Sequence, residues 1–398
     1  MTTLKITPTN LTGRIQVPSS KSMGHRAYIC AALAGQGQVL GVDESKDMEA
    51  TRRVLANLGG ICDCGESGST LRFLLPLALV QERQTTFVGQ GKLVSRPLQV
   101  YYDIFAQQGI SYTTGTQGHL PVTVTGKLRN GVFTVPGDVS SQFISGLLFA
   151  LPLLEGASEI VVTGKLESRS YIALTLSALA DFGIKVEHEG YRHYYIAGGQ
   201  QYKPRDYQVE GDYSQAAFWL VAGTLGSPIT CQGLRADSLQ GDSAIVPIIR
   251  AMGGYLEQDA KTVTVQPRAT HGITIDAADC PDLVPVLTVL AALSEGTTHI
   301  INAGRLRIKE CDRLRAMTNE LNKIGGQITE LPEGLIIEGR ASLRGGVVEC
   351  WNDHRIAMSL AVAALKCSEP LILRGTECVA KSYPRFWEDY ATLGGRYE

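Results

Sequence analysis

The chain of 398 residues has no stretch approaching the ~18 apolar residues that a membrane-spanning helix needs. Its longest apolar stretches, such as 143–154, are short and read as buried core helices. It has no basic excess: 37 Lys and Arg stand against 39 Asp and Glu, for a net charge of −2. A nucleic-acid surface normally shows such an excess, so that class is disfavoured. Positive charge for any anionic ligand must instead be gathered locally. The nine cysteines contain no C-x-x-C pair. Cys62 and Cys64 form a lone C-x-C, weak evidence for metal, and the cysteines read as free thiols in a reducing cytoplasm. The start, Met1–Thr7, is strand-like and lacks an apolar signal core. Neither a metal-ligand spacing nor the G-x-x-x-x-G-K-[ST] phosphate loop occurs.

What is present is a folded composition, 44% hydrophobic and 19% charged, with 43 glycines that fall singly at segment ends. The length suggests about two to three domains. One unit recurs six times. It opens with a short strand and a loop rich in Gly, Ser and Asp, then runs into a strongly apolar helix. The openings are Val17–Ser22, Cys64–Ser69, Val135–Ser141, Val209–Ser214, Ile275–Asp282 and Glu349–His354. Their helices are expected over Ala27–Ala34, Leu71–Val80, Phe143–Leu154, Ala216–Leu225, Leu283–Leu293 and Ile356–Leu365. A helix that is apolar nearly all round is buried on all sides. A second, amphipathic helix follows in each unit and ends in glycine, at Gly59, Gly109, Gly183, Gly253, Gly325 and Gly394. In the first unit Arg52, Arg53 and Asn57 mark its wet face. β-rich segments such as 185–188 with 194–196, and 262–265, close most units. Six compact α/β units divide naturally into two domains of three.

The openings matter because a helix N-terminus carries unpaired N–H groups and partial positive charge, which bind anions. Ser, Asp and Asn are also ordinary N-caps, and for one opening capping suffices. Six polar openings, several with a cation added, point to a shared anion site. The first holds Lys21, Ser22 and Arg26; a lysine in a helix's first turn is electrostatically wrong unless an anion sits there. The second holds Gly68, where a ligand can approach the backbone, with Arg72 a turn later. Arg96 precedes Pro97 at a later helix start, and Ser140, Ser141 and Gln142 supply neutral donors at the third opening. The run from Arg305 to Arg313 alternates charge with Leu306 and Ile308 in a strand-like pattern. That predicts a strand-to-helix junction carrying Lys309, Glu310 and Arg313. Asn352 to Arg355 opens the last interior helix, and Lys381 precedes the final one.

Taken together, P-S-S-K-S-x-x-x-R, G-S-T-L-R, V-S-S-Q-F, R-L-R-I-K-E-C-D-R, N-D-H-R-I-A-M and V-A-K-S-Y-P resemble the 5-enolpyruvylshikimate-3-phosphate synthase family. They occur in the family's order from about residue 17 to residue 387. The resemblance implies a two-domain inside-out α/β barrel of six βαβαββ repeats, three per domain, with buried interior helices and the active site in the interdomain cleft. It implies a first domain over 14–211 and a second over 1–13 and 212–398. The implied reaction moves the enolpyruvyl group of phosphoenolpyruvate to the 5-hydroxyl of shikimate 3-phosphate and releases phosphate, with no cofactor and no metal, in a cytoplasmic monomer.

By motif, Lys21, Gly68, Arg96, Arg313, Arg355 and Lys381 would surround phosphoenolpyruvate. Lys21, Ser22, Arg26, Ser140, Ser141, Gln142, Ser168, Tyr171, Asp282 and Lys309 would hold shikimate 3-phosphate. Asp282 and Glu310 would be the proton-transfer carboxylates, with Lys21 a candidate acid and His354 a further candidate. The chemistry suits these types: Arg and Lys neutralise two polyanions, and a positioned carboxylate moves protons. Which carboxylate serves which step stays open. Glu66 and Arg305 stand where many members carry Asn, and Ser170 where Pro is common. The small Gly68 fits a pocket open to the inhibitor glyphosate, although Phe73 stands where many sensitive members have Pro. The sister family that uses a UDP-sugar acceptor has a different Lys-Asn opening and a loop cysteine. A non-catalytic anion binder would gain nothing from Asp282 and Glu310 beside its ligand.

Overall fold

The computed structural model describes residues 2–81, 83–116 and 118–398. It is a mixed α/β chain that divides into two units. One is continuous, Lys21–Val209; the other is discontinuous, formed by residues 1–20 and 210–398. Residues 14–20 and 210–211, expected in the first domain, fall in the discontinuous unit. The cause is strand pairing: Gly13–Gln16 lies parallel to Ile229–Gln232 and is held there by its ladder.

Among the described residues of the continuous unit, six α-helices are formed: α1 (Lys21–Ala34), α2 (Lys46–Ala56), α3 (Gly68–Ala78), α4 (Gln99–Gln108), α5 (Ser141–Ala150) and α6 (Arg169–Asp181). The discontinuous unit holds α7 (Tyr213–Leu225), α8 (Ile245–Ala251), α9 (Val284–Ala292), α10 (Arg313–Lys323), α11 (His354–Ala363) and α12 (Phe386–Thr392). None is long and apolar enough to cross a membrane. The expected interior helices α3, α5, α7, α9 and α11 are sheathed by other residues almost throughout. Helices α7, α9 and α11 pack on one another, as do α3 and α5. The first helix is less enclosed than its composition predicts. It packs chiefly against α2 and α6, and Ala32 near its end is exposed. The glycine after each second helix sits at positive φ, from 69° at Gly109 to 97° at Gly59, a region that side chains disfavour.

The described residues form five four-stranded sheets and one two-stranded sheet, and the five share one pattern. An opening strand pairs parallel with the strand that follows an interior helix, and two antiparallel strands are added beyond it. Ile61–Asp63 with Thr85–Val88, and Val132–Pro136 with Ser158–Thr163, begin two such sheets. Thr274–Asp276 with Thr297–Ile301, and Gly346–Glu349 with Leu371–Arg374, begin two more. At the two chain crossings the partners are exchanged. Gly13–Gln16 precedes α1 but pairs with the strand after α7. Tyr207–Gln208 precedes α7 but pairs with Val39–Leu40, the strand after α1.

A further expectation fails in the fifth repeat. The run 304–308 is a 3-10 helix, and the strand of that repeat ends earlier, at Ile301. Alternation misleads here because the charged side chains are tied down. Arg305 donates to the carbonyl of Ala278, and Arg307 donates to the carbonyls of Leu331 and Pro332. Leu306 alone turns into the core.

Candidate active site

Four of the interior helices start on the side-chain cap that their openings offer, whereas α9 begins at Val284 behind a 3-10 turn with no side-chain cap. Ser67 caps α3 by accepting from the Thr70 amide at 3.2 Å. Ser140 caps α5, Asp212 caps α7 through the amides of Ser214 and Gln215, and Asp353 caps α11 through the amide of Arg355 at 2.8 Å. Each cap satisfies one or two of the unpaired N–H groups and leaves the others directed outward.

In the discontinuous unit the sequence-predicted residues converge on Arg313, whose side chain is 2% exposed. Its Nε donates to Asp353 Oδ2 at 2.8 Å, Nη1 to Asp282 Oδ1 at 2.8 Å, and Nη2 to Glu310 Oε2 at 2.9 Å. Burial opposes the guanidinium charge, but Asp353, Glu310 and Asp282 outweigh it and push the pKa well up. Arg355 shares the cluster. Its Nη2 donates to Asp282 Oδ2 at 3.1 Å and to Ser214 Oγ at 2.9 Å. Lys309 places its ammonium 3.8 Å from Asp282 Oδ1. Burial, with Arg313 and Arg305 nearby, brings the Lys309 pKa down to about 8, against the pull of Asp282 and Glu310. Lys381 donates to the carbonyl of Asn352 at 2.7 Å. Asn352 and Trp351 both sit at positive φ, 50° and 53°. His354 is buried, its Nδ1 3.9 Å from Asp353 Oδ1.

The continuous unit holds the rest. Lys21 begins α1, and the anion its position demands is supplied by Asp47, 2.9 Å from Nζ. Arg26 is buried, donating from Nε to Thr175 at 2.8 Å, from Nη1 to the Ser22 carbonyl at 2.6 Å, and from Nη2 to the Tyr171 carbonyl at 2.8 Å. Burial lowers its pKa to about 10. It therefore ties together two residues expected at the acceptor, Ser22 and Tyr171. Gln142 accepts from Arg72 at 2.8 Å and donates to Ser69 at 3.0 Å. Ser141 is buried beside it, and Ser168 adopts the left-handed conformation ahead of α6, φ 56°. Gly68 packs against Arg96: a Cβ there would stand 2.5 Å from Nη1.

Three contributors have no assigned role in the sequence: Asp47, Ser214 and Asp353. Asp353 carried a local signal as the cap in N-D-H-R, but its charge pairing with Arg313, 40 residues away, did not. Asp47 lies 26 residues from Lys21 with no motif of its own. Among the described residues, no group of three or more His, Cys, Asp or Glu side chains is placed to hold a metal ion.

Comparison with known proteins adds the following. A family model described as EPSP synthase (3-phosphoshikimate 1-carboxyvinyltransferase) matches residues 6–63 and 60–390. A 3-phosphoshikimate 1-carboxyvinyltransferase of Clostridium kluyveri is 52% identical over 99% of this chain and 98% of its own length. One from Clostridium acetobutylicum is 49% identical, over 99% of this chain and 98% of its own length. The solved EPSP synthase of Acinetobacter baumannii superposes with a TM-score of 0.84 at 27% identity, covering 100% of this chain and 99% of its own.

Proposed function

The chain belongs to the EPSP synthase family and catalyses its enolpyruvyl-transfer step in the shikimate pathway, and on that premise we propose how its residues divide the work. The enolpyruvyl group of phosphoenolpyruvate passes to the 5-hydroxyl of shikimate 3-phosphate through a tetrahedral intermediate that expels phosphate. Lys21, Gly68, Arg96, Arg313, Arg355 and Lys381 hold phosphoenolpyruvate. Lys21, Ser22, Arg26, Ser140, Ser141, Gln142, Ser168, Tyr171, Asp282 and Lys309 hold shikimate 3-phosphate, with Arg26 acting by ordering Ser22 and Tyr171. On the same reading the enzyme works as a cytoplasmic monomer on two small anions.

The observation that carries this is the clamp on Arg313. Two of its three carboxylate partners, Asp282 and Glu310, are half-buried and bound through Nη1 and Nη2, while Asp353, fully buried, holds Nε at 2.8 Å and reaches Nη2 only at 3.4 Å. A substrate carboxylate that grips both Nη atoms, as arginine favours, displaces Asp282 and Glu310 and leaves Asp353 in place. The two released carboxylates are then available to take the hydroxyl proton and to shuttle one towards C3 of the enolpyruvyl group. Arg355 and Lys309, both beside Asp282, balance the charge that develops as phosphate leaves.

Phosphate release tests it. The unchanged enzyme is expected to release phosphate only with both substrates present, and Glu310→Gln to slow release about 100-fold, as for loss of a proton-transfer group. Release with UDP-N-acetylglucosamine in place of shikimate 3-phosphate would overturn the choice of acceptor. Full activity in Glu310→Gln would overturn its role.

A further inference from the structure

We propose that His25 is a positioning residue for the phosphoenolpyruvate side of the site, acting through a line of three buried hydroxyls that sets the start of α3. His25 lies on α1 between Lys21 and Arg26 and is 1% exposed. Its Nδ1 is 2.7 Å from Thr51 Oγ1 on α2. Thr51 Oγ1 is 2.6 Å from Thr70 Oγ1 on α3. Thr70 Oγ1 donates to Ser67 Oγ at 2.7 Å. All four side chains are buried.

The hydrogens of this line have one consistent arrangement. Each hydroxyl has a single proton to give. Thr70 gives its proton to Ser67, so it accepts from Thr51. Thr51 thereby spends its own proton, so it accepts from His25. Nδ1 of His25 therefore carries hydrogen, and Nε2 carries a lone pair. Nε2 is buried and has no hydrogen-bond partner among the described residues. A second proton there would be a buried, unsatisfied donor. Burial, with the charges of Lys21 and Arg26, also holds the imidazole pKa well below its usual value. The ring is thus locked as one neutral tautomer whose donor points down the line.

The line ends where a ligand would begin. Ser67 Oγ caps the Thr70 amide, and the Ser67 carbonyl accepts from the Leu71 amide at 3.2 Å. The amides of Gly68 and Ser69, the first two of the helix, have no partner within it. Gly68 is also where the backbone meets Arg96. A change in the side-chain torsion of Ser67 tilts those amides and the surface against which Arg96 rests. The inference rests on the assignment of Gly68 and Arg96 to phosphoenolpyruvate.

The test measures KM for each substrate, kcat and the unfolding midpoint for the unchanged enzyme, His25→Leu, His25→Asn and Thr51→Val. Leucine removes the donor, asparagine restores an N–H close to the Nδ1 position, and valine breaks the line in its middle at nearly constant volume. Expected is a rise of about tenfold in KM for phosphoenolpyruvate in His25→Leu and Thr51→Val, as for one lost hydrogen bond. KM for shikimate 3-phosphate stays within about twofold, and His25→Asn stays within about threefold of the unchanged enzyme on both. A merely structural role would lower the midpoint and move both KM values together, or leave asparagine no better than leucine; either result overturns the proposal. If His25→Leu does not fold, Thr51→Val decides alone by the same split. An unchanged enzyme that releases no phosphate from the two substrates overturns the functional assignment, and this inference with it. An active one whose variants show no selective rise overturns the inference alone.

Discussion

Alanine in place of Gly68 separates binding from stability. The backbone there is not at positive φ, so alanine can adopt it. The new methyl would stand 2.5 Å from Nη1, 2.8 Å from Cζ and 3.1 Å from Nη2 of Arg96. Ordinary carbon contacts begin near 3.5 Å, so the guanidinium must withdraw by about 1 Å. It can do so cheaply. Arg96 is held through its backbone, whose N–H donates to Leu93, whereas its Nε has no acceptor among the described residues to lose. Folding stability should therefore stay within about 1 kcal/mol, and the better helix propensity of alanine can raise it slightly. Binding has no such freedom. A charged two-point grip misplaced by about 1 Å forfeits roughly 1.5–3 kcal/mol, a rise of roughly 10- to 150-fold in KM for phosphoenolpyruvate. Inhibition by glyphosate, where it competes with phosphoenolpyruvate, should weaken with it. Steady-state kinetics with each substrate varied in turn, beside a thermal melt, provide the readout. An unchanged KM for phosphoenolpyruvate, or an equal rise for shikimate 3-phosphate, would refute the reasoning.

Other outcomes follow from the same geometry. Asp353→Asn leaves Arg313 short of a fully buried counter-charge, so it should cost about 3–5 kcal/mol and lower the unfolding midpoint by roughly 6–20 °C by circular dichroism; a fall under about 2 °C would show that the pair is dispensable. Lys309, with its pKa brought down to about 8, loses its charge as pH rises through that value. The kcat/KM for shikimate 3-phosphate should then fall about tenfold per pH unit above it, and Lys309→Arg should abolish that alkaline limb. Lysine ordinarily titrates near 10.5, so unfolding takes up a proton between about 8 and 10.5. This residue's contribution to stability is thus lowest below pH 8 and improves as pH rises through that window, by an amount that the 25% exposure of its side chain softens. All nine cysteines are free and buried, and burial raises thiols such as Cys62 to about 11; a thiol reagent should label fewer than about one per native chain and all of them in denaturant.

What the sequence showed of this fold was what short range decides. Ser67, Ser140, Asp212 and Asp353 each cap the helix placed behind them, because a cap and its amides lie within three residues. The repeat of strand, apolar helix and glycine-ended helix was legible for the same reason. Where long-range contacts compete, the pattern misled. The alternation from Arg305 to Ile308 suggested a strand, yet Arg305 and Arg307 are drawn to carbonyls 24 to 27 residues away and the backbone coils to let them reach. Partners were the least legible. The motif announced Arg313, but that three carboxylates from separate segments would saturate it depends on how α9, α10 and α11 meet. The Thr51 and Thr70 hydroxyls look like any buried helix threonines until α1, α2 and α3 are brought together.

The exchanged strands also impose a schedule on synthesis. Gly13–Gln16 leaves the ribosome well ahead of its partner strand, Ile229–Gln232. At about 5–20 residues per second, some 210 intervening residues take roughly 10–40 s to translate. The continuous unit has all its strands by Gln208 and can fold in the meantime. The waiting strand must stay unpaired and soluble throughout, and its short sequence, Gly-Arg-Ile-Gln with one buried side chain, Ile15, suits a segment that has to wait.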